Sequence, residues 1–233
     1  NDFWGPVTDK ESISAIHAAI DKGINFIDTA PAYGSGHAEE VVGKAIKDRK
    51  DQVVVGTKCG IVRTSNDFIN NLKPESIRKE IEQSLRLLGV DVIDLYQIHW
   101  PDPNTPLEDS LDMLIKLQEE GKFRYLGVSN FGPQLMDQVQ QRTHLVSLQP
   151  QYSLLKRDIE KEIIPYCVNN NLGLITYGTL AGGILTGKFR EIPKFKKGDQ
   201  RSMFYDYFKE PVWSRVQMVV DVLREIAGEK KVP

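Results

Sequence analysis

Four side chains able to hold or move a proton stand at or shortly after the points where apolar runs of this 233-residue chain stop: Asp28, Tyr33, Lys58 and His99. Asp28 closes the run Ile24-Asn25-Phe26-Ile27, and Tyr33 follows five residues later in the Pro/Gly-rich stretch Thr29-Ala30-Pro31-Ala32-Tyr33-Gly34. Lys58 ends a second run in Gly56-Thr57-Lys58-Cys59-Gly60, and His99 a third in Gln97-Ile98-His99-Trp100. Three later runs also end in polar groups: Ser129 and Asn130 in Gly127-Val128-Ser129-Asn130-Phe131, Gln149 in Leu148-Gln149-Pro150, and Tyr177. A carboxylate at the end of a buried run is costly unless it is solvated or paired, so Asp28 requires a partner or water. Each group alone has an ordinary explanation: a strand-end aspartate caps or turns the chain, a lysine at a strand end is solvated, and a histidine is hydrogen-bonded into the framework. Together they collect an acid, a base, a phenol and an imidazole, the groups of general acid–base chemistry.

The elements that must carry these groups alternate along the chain. Thr8-Asp9-Lys10-Glu11 reads as a capping box opening a helix with Ile13, Ile16 and Ile20 on one face, stopped by Gly23. A strand over 24–28 follows, then a helix over 38–48 with Val41, Val42, Ala45 and Ile46 on one face, then the strand Val53-Val54-Val55. A helix opens at Pro74 and stops at Gly89, a strand covers 92–98, and Thr105-Pro106-Leu107-Glu108 opens a helix that ends at Gly121. Strands at 125–128 and 145–148 flank a helix at about 133–141, Asp158 is placed to cap another, and the strand Gly173–Thr176 precedes a last helix over 211–228. Six strands alternating with helices imply an α/β fold with a parallel sheet, either open and doubly wound or closed as a (β/α)8 barrel. In both, functional groups gather at the carboxyl ends of the strands.

A length of 233 residues with 40% hydrophobic content suits one domain with a full core. The net charge of -2 gives no reason to expect nucleic acid or an anionic membrane as partner. No apolar run approaches the ~20 residues of a membrane-spanning helix. The two cysteines, Cys59 and Cys167, make neither a metal spacing nor a disulfide framework, so no metal and a cytoplasmic location are expected. Asn1–Gly5 does not read as a signal peptide. His17, His37 and His144 fall on helices or loops and are assigned framework roles.

In its motifs the chain resembles the aldo-keto reductases. "IDTAPAYG" is similar to the strand that carries that family's aspartate and tyrosine, "TKCG" to its lysine strand, and "LYQIHWPDP" to its histidine strand. "GVSNF" resembles the segment that binds the nicotinamide carboxamide. "TYGTLAGGILTGK" resembles the pyrophosphate segment, with Gly178-Thr179 in place of the more usual Ser-Pro. The resemblance runs in order along nearly the whole chain. It implies a (β/α)8 TIM barrel over residues 1–233, with its first strand before Asn1 and its last strand and helix after Pro233. It also implies carbonyl reduction with NADPH, NADH being possible, on a small-molecule aldehyde or ketone.

By the same resemblance, Asp28 pairs with Lys58, and Lys58 lies beside the phenol of Tyr33. A free tyrosine has a pKa of ~10, and a nearby cation favours the phenolate, so Tyr33 is tuned as the proton donor and His99 orients the substrate oxygen. Ser129, Asn130 and Gln149 would hold the carboxamide, with Tyr177 against the nicotinamide. Gly178, Thr179, Leu180, Ala181 and Gly183 would approach the pyrophosphate, helped by the charge of Lys188, and Trp4 and Trp100 would wall the substrate pocket. Two rival readings remain. Gly182–Phe189 nearly matches the phosphate loop of nucleotide hydrolases, but Phe189 stands where a Ser or Thr hydroxyl is needed. The other is a cofactor-binding regulatory partner resembling potassium-channel β subunits, which carry a different residue at the position of His99. The segment from Phe189 to Trp213 is long for a connection and is expected to act as a lid, and the stretch 63–71 is expected to be a loop.

Overall fold

The computed structural model describes residues 7–64, 67–196, 199 and 201–232, so Trp4 lies outside the described residues. In chain order the elements are α1 (Asp9–Asp21), β1 (Phe26–Asp28), α2 (His37–Ile46), β2 (Val54–Cys59), β3 (Ile61–Arg63), β4 (Phe68–Asn70), α3 (Pro74–Leu88) and β5 (Ile93–Ile98). They continue with α4 (Leu107–Glu119), β6 (Phe123–Ser129), α5 (Pro133–Gln140), β7 (Leu145–Gln149), α6 (Ile163–Asn169), β8 (Gly173–Leu174), α7 (Arg201–Phe204) and α8 (Val212–Lys230). The chain divides into two compact units. One comprises residues 7–150 and 160–175, and the other the described residues of 151–159 and 176–232.

In the first unit six parallel strands stand in the order β1-β2-β5-β6-β7-β8. Each pairs with the next strand of the sheet in sequence, whereas a doubly wound sheet reverses direction from its first strand. Sequential winding is the topology of the (β/α)8 barrel, and the sheet is a curled half-barrel of that class. Register brings the functional ends level. Asp28 stands opposite Gly56, Lys58 opposite Gln97, and Ser129 opposite Gln149.

The helices fold for the reasons their sequences supply. Thr8 accepts the Glu11 backbone N–H while Glu11 accepts the Thr8 N–H, closing the capping box of α1. α2 buries the expected Val41, Val42, Ala45 and Ile46 against the sheet, together with Glu39. α3 starts at Pro74, runs Ile77, Ile81 and Leu88 down its buried face, and ends where Gly89 takes a left-handed φ of 64°. With Leu111, Leu114, Leu117, Leu126 and Val128 these side chains form one continuous core.

Three local expectations are corrected. Residues 61–70 are not a bare loop, since β3 and β4 pair antiparallel with Arg63 opposite Phe68. Strands of three residues are too short to display the alternation that identifies a strand. Thr105 donates to Asp102, which also accepts the Leu72 and Asn104 N–H groups, and α4 opens at Leu107 without a side-chain cap. Asp158 sits in a 3-10 turn ending at Glu160, and α6 begins only at Ile163.

The second unit has its own small core of Ala181, Ile184, Tyr205, Phe208, Trp213, Val216 and Val220. Phe195 packs edge-on against Phe208 at 4.9 Å between ring centroids, and Phe189 against Phe208 at 5.6 Å. Phe189, Phe195 and Phe208 of the stretch expected as a lid thus pack on one another within their own unit.

Gly43 lets α2 approach α3, since a Cβ there would meet the backbone carbonyls of Leu87 and Leu88. Alanine normally favours a helix over glycine by ~1 kcal/mol, but here backbone atoms must move. Gly43→Ala is expected to destabilise the chain by about 1–3 kcal/mol, read as a lowered denaturant midpoint. A midpoint raised by the substitution would show that α2 and α3 are not held this closely.

Candidate active site

Period-2 alternation along β2 sends Lys58 to one face of the sheet and Thr57 to the other. Lys58 is fully buried, and its Nζ donates to Asp28 Oδ2 at 2.7 Å, to the Thr29 carbonyl at 2.9 Å and to Tyr33 Oη at 3.4 Å. Burial pulls its ammonium below the usual lysine value, while the charges of Asp28 and Glu39 oppose that pull. The Asp28 side chain is 29% exposed and Tyr33 is 36% exposed. A buried cation therefore ends in a phenol that reaches solvent.

His99 follows β5, and its backbone N–H donates to the Cys59 carbonyl at 2.9 Å, extending the β2–β5 ladder. Its ring meets that of Tyr33 edge-on, with centroids 5.7 Å apart and planes at 85°. Burial, and then the neighbouring Lys58 charge, push the imidazole down to about 3, so His99 is neutral at ordinary pH. The three groups that end separate apolar runs, and Tyr33 from the turn after the first, are thus within reach of one another.

Asp28 is held on its other oxygen by two amides. Oδ1 accepts from Gln149 Nε2 at 3.0 Å and from Gln97 Nε2 at 3.4 Å. Gln149 therefore supports the carboxylate, a contact that sequence reasoning did not foresee. Gln97 was missed as a site residue, although its register opposite Lys58 places it there. Glu39 was missed too. It stands three residues before Val42 and seven before Ile46, within the buried stripe of α2, and a charged residue in such a stripe is the available signal.

Ser129 and Asn130 lie next to these groups. Ser129 Oγ donates to the Gln149 carbonyl at 2.8 Å, and Asn130 Nδ2 donates to the His99 carbonyl at 3.1 Å and to Ser129 Oγ at 2.9 Å. Asn130 holds a left-handed φ of 61°, a conformation that costs of order 1–3 kcal/mol and collects at functional sites. Trp100, next to His99, is 43% exposed. His17 and His37 fill framework roles, one bonded to the Ala45 carbonyl and the other to Asp9.

In the second unit, Tyr177 is half-buried and its carbonyl accepts the Tyr152 N–H at 3.1 Å. Left-handed φ values recur at Gly178, Ala181, Gly182, Gly183 and Gly187. The N–H groups of Ala181, Gly183 and Gly187 close tight turns on the carbonyls of Gly178, Leu180 and Ile184, and small residues in such turns let the backbone approach a ligand closely. A Cβ on Gly182 would meet the Tyr205 ring at 2.9 Å, and Gly183 holds a left-handed φ of 90° that side chains rarely adopt. Thr179, Leu180 and Lys188 are exposed, and Lys188 Nζ sits 4.9 Å from the Phe189 ring centre. Small residues beside an exposed cation fit a phosphate-bearing cofactor. Residues 181–186 form 3-10 turns, and no helix opens at Lys188, so the strand–loop–helix context of a nucleotide-hydrolase phosphate loop is missing.

The family model for the aldo/keto reductase family matches residues 1–233. The chain is 40% identical over 228 residues to the aldo-keto reductase YhdN of Bacillus subtilis, covering 97% of this chain and 68% of that protein. It is 40% identical over 199 residues to the NADH-specific methylglyoxal reductase of Escherichia coli, covering 79% of this chain and 61% of that one. Among solved structures, the glycerol dehydrogenase AKR11B4 from Gluconobacter oxydans superposes with a TM-score of 0.90 at 42% identity, over 98% of this chain and 71% of that chain.

A histidine lowered to about 3 keeps one imidazole proton at all ordinary pH. Its ring resonances in NMR spectra are expected to stay constant between about pH 5 and 8, where a free histidine near 6.5 titrates. A His99 midpoint near 6.5 would contradict the buried environment described here.

Proposed function

Since the chain belongs to the aldo/keto reductase family, we propose that it reduces small aldehydes or ketones to alcohols with NADPH, NADH being an alternative, and that Tyr33 supplies the proton. The observation that carries this reading is the buried Lys58 ammonium, in contact with Asp28 on one side and with the Tyr33 phenol on the other. When bound, the reduced nicotinamide supplies hydride to the carbonyl carbon, which leaves negative charge on the carbonyl oxygen.

The chain's own residues manage that charge. Tyr33 Oη hands its proton to the oxygen, and the Lys58 cation 3.4 Å away stabilises the negative charge left on the phenol. Asp28 keeps the ammonium in place, and Gln149 and Gln97 keep Asp28 in place. His99, neutral and carrying one ring proton, would donate a hydrogen bond to the same oxygen and fix the carbonyl's orientation. Ser129, Asn130 and the rest of the Gln149 amide would take the carboxamide, and Tyr177 would pack on the nicotinamide. The backbone of Gly178, Thr179, Leu180, Ala181 and Gly183, with Lys188, would take the pyrophosphate. Trp100, and Trp4 by sequence, would wall the substrate.

The names of the relatives point to small oxygenated substrates, methylglyoxal in one and glycerol in another, and a panel of aldehydes, ketones and sugars with each cofactor would rank them. Tyr33→Phe removes the proton and little else. It is expected to lower carbonyl turnover by ~10²-fold or more, read as loss of reduced-cofactor absorbance, while the cofactor dissociation constant stays within about two-fold. Turnover at the unsubstituted rate, where chemistry is limiting, would remove Tyr33 from the role of donor.

A further inference from the structure

We propose that Glu39 is a positioning residue for the proton-transfer site, supplying from the helix side of the sheet a second negative charge that holds the buried Lys58 ammonium in its charged form. The inference rests on the proposed role of Lys58 and extends it to a carboxylate outside the site already described.

Glu39 is completely buried on α2, and its Oε1 accepts the Thr57 hydroxyl at 2.7 Å. Thr57, also completely buried, precedes Lys58 in β2. Its side chain faces the helices, whereas that of Lys58 faces Asp28. The ammonium is thus bracketed by Asp28 on its own face of the sheet and by Glu39 through the thickness of one strand. The buried Ser84 hydroxyl of α3 also acts on the Glu39 carboxylate. A buried carboxylate is costly to keep charged, and attraction to a buried cation is a physical reason for keeping it so. The two carboxylates differ in their surroundings. Asp28 is partly exposed, so water screens its charge, while the field of Glu39 passes through dry core.

The same contact controls geometry. The Ala38 N–H donates to the Tyr33 carbonyl at 3.2 Å, fixing Tyr33 to the first turn of α2. The Thr57–Glu39 hydrogen bond fixes α2 to β2. Tyr33 and Lys58 come from different elements, and this clasp joins the two elements next to where the side chains meet.

The charged and titratable groups around this pair are few. Lys58 faces Asp28 at the end of β1, Tyr33 in the turn after it, His99 beyond β5, and Glu39. Glu39 faces Lys58, Glu80 of α3 and Tyr96 of β5. Burial raises the Glu39 carboxyl above its ordinary value, and the hydrogen bonds of Thr57 and Ser84, followed by the Lys58 charge, draw it back. Glu80, with the Gly60 N–H and the Ser76 hydroxyl on its oxygens, is pushed up to about 7 by burial.

The sign of the effect follows. Removing the Glu39 charge disfavours the ammonium, so Lys58 must lose its proton at a lower pH. The test is an NMR titration of Lys58 in protein carrying 13C-labelled lysine, with the signal assigned by its absence in Lys58→Arg. In Glu39→Gln, whose amide oxygen still accepts from Thr57, the Lys58 midpoint is expected about one pH unit lower. Glu39→Asp, which keeps the charge, should restore most of the difference, and Glu80→Gln should move the midpoint much less. Glu39→Met, neutral and apolar, serves if the glutamine variant does not fold. The alkaline limb of the turnover profile should move down with the midpoint.

A Lys58 midpoint unchanged in both neutral variants would overturn the proposal, and so would an equal shift in Glu80→Gln. The titration needs no turnover. If the chain reduced no carbonyl, the reductase reading would fail while the shift in Lys58 still decided the role of Glu39.

Discussion

A lysine ammonium with no solvent exposure is the constraint around which this structure is arranged. Withdrawing an ion of that size from water costs several kcal/mol even after the protein relaxes. The cost is offset only where opposite charge and hydrogen-bond acceptors converge on it. Asp28 and the Thr29 carbonyl do so directly, and both lie at the end of one short strand. β1 must therefore pair with β2 in the register that sets Asp28 opposite Gly56, within reach of Lys58. A one-residue slip would turn the carboxylate to the other face and leave the cation uncompensated.

From that requirement the neighbouring elements follow. β5 lies on the other side of β2 and brings Gln97 against Asp28 and His99 beside Tyr33. β6 and β7 continue the sheet and deliver Ser129, Asn130 and Gln149 at the same edge. On the far face, α2 and α3 close the core and carry two carboxylates, the buried Glu39 and the half-buried Glu80. Lys58 is fully buried, whereas Asp28 and Tyr33 both reach solvent. That contrast gives the phenol access to a substrate while its cation stays dry, and it is the physical basis of the proposed reaction.

The alternation of helix and strand was legible because apolar spacing, capping boxes and terminal glycines are local signals. α3 runs between Pro74 and Gly89 as those signals require, and α1 closes its capping box. Asp28, Lys58 and His99 were legible because each interrupts an apolar run at its end, and Tyr33 because it stands in the Pro/Gly-rich turn that follows the first of those runs. What escaped depends on distant partners. Thr105 resembles a cap in sequence, but Asp102 takes its hydroxyl. Gln97 is unremarkable in sequence until register places it opposite Lys58. The β3–β4 hairpin is too short to show a period. Whether the sheet is singly or doubly wound is a matter of strand order, which spacing along the chain does not encode.

The central claim is that Lys58 acts on chemistry through Tyr33, as one unit with it. The most direct measurement is a double-mutant cycle on carbonyl turnover, with Lys58→Met and Tyr33→Phe made singly and together and the chemical step limiting. Once the phenol's proton is gone, a cation beside it has nothing left to stabilise. The account predicts that the double variant is no slower than the slower single variant, within a factor of about three. Losses that simply multiply would contradict it, because Lys58 and Tyr33 would then be acting independently.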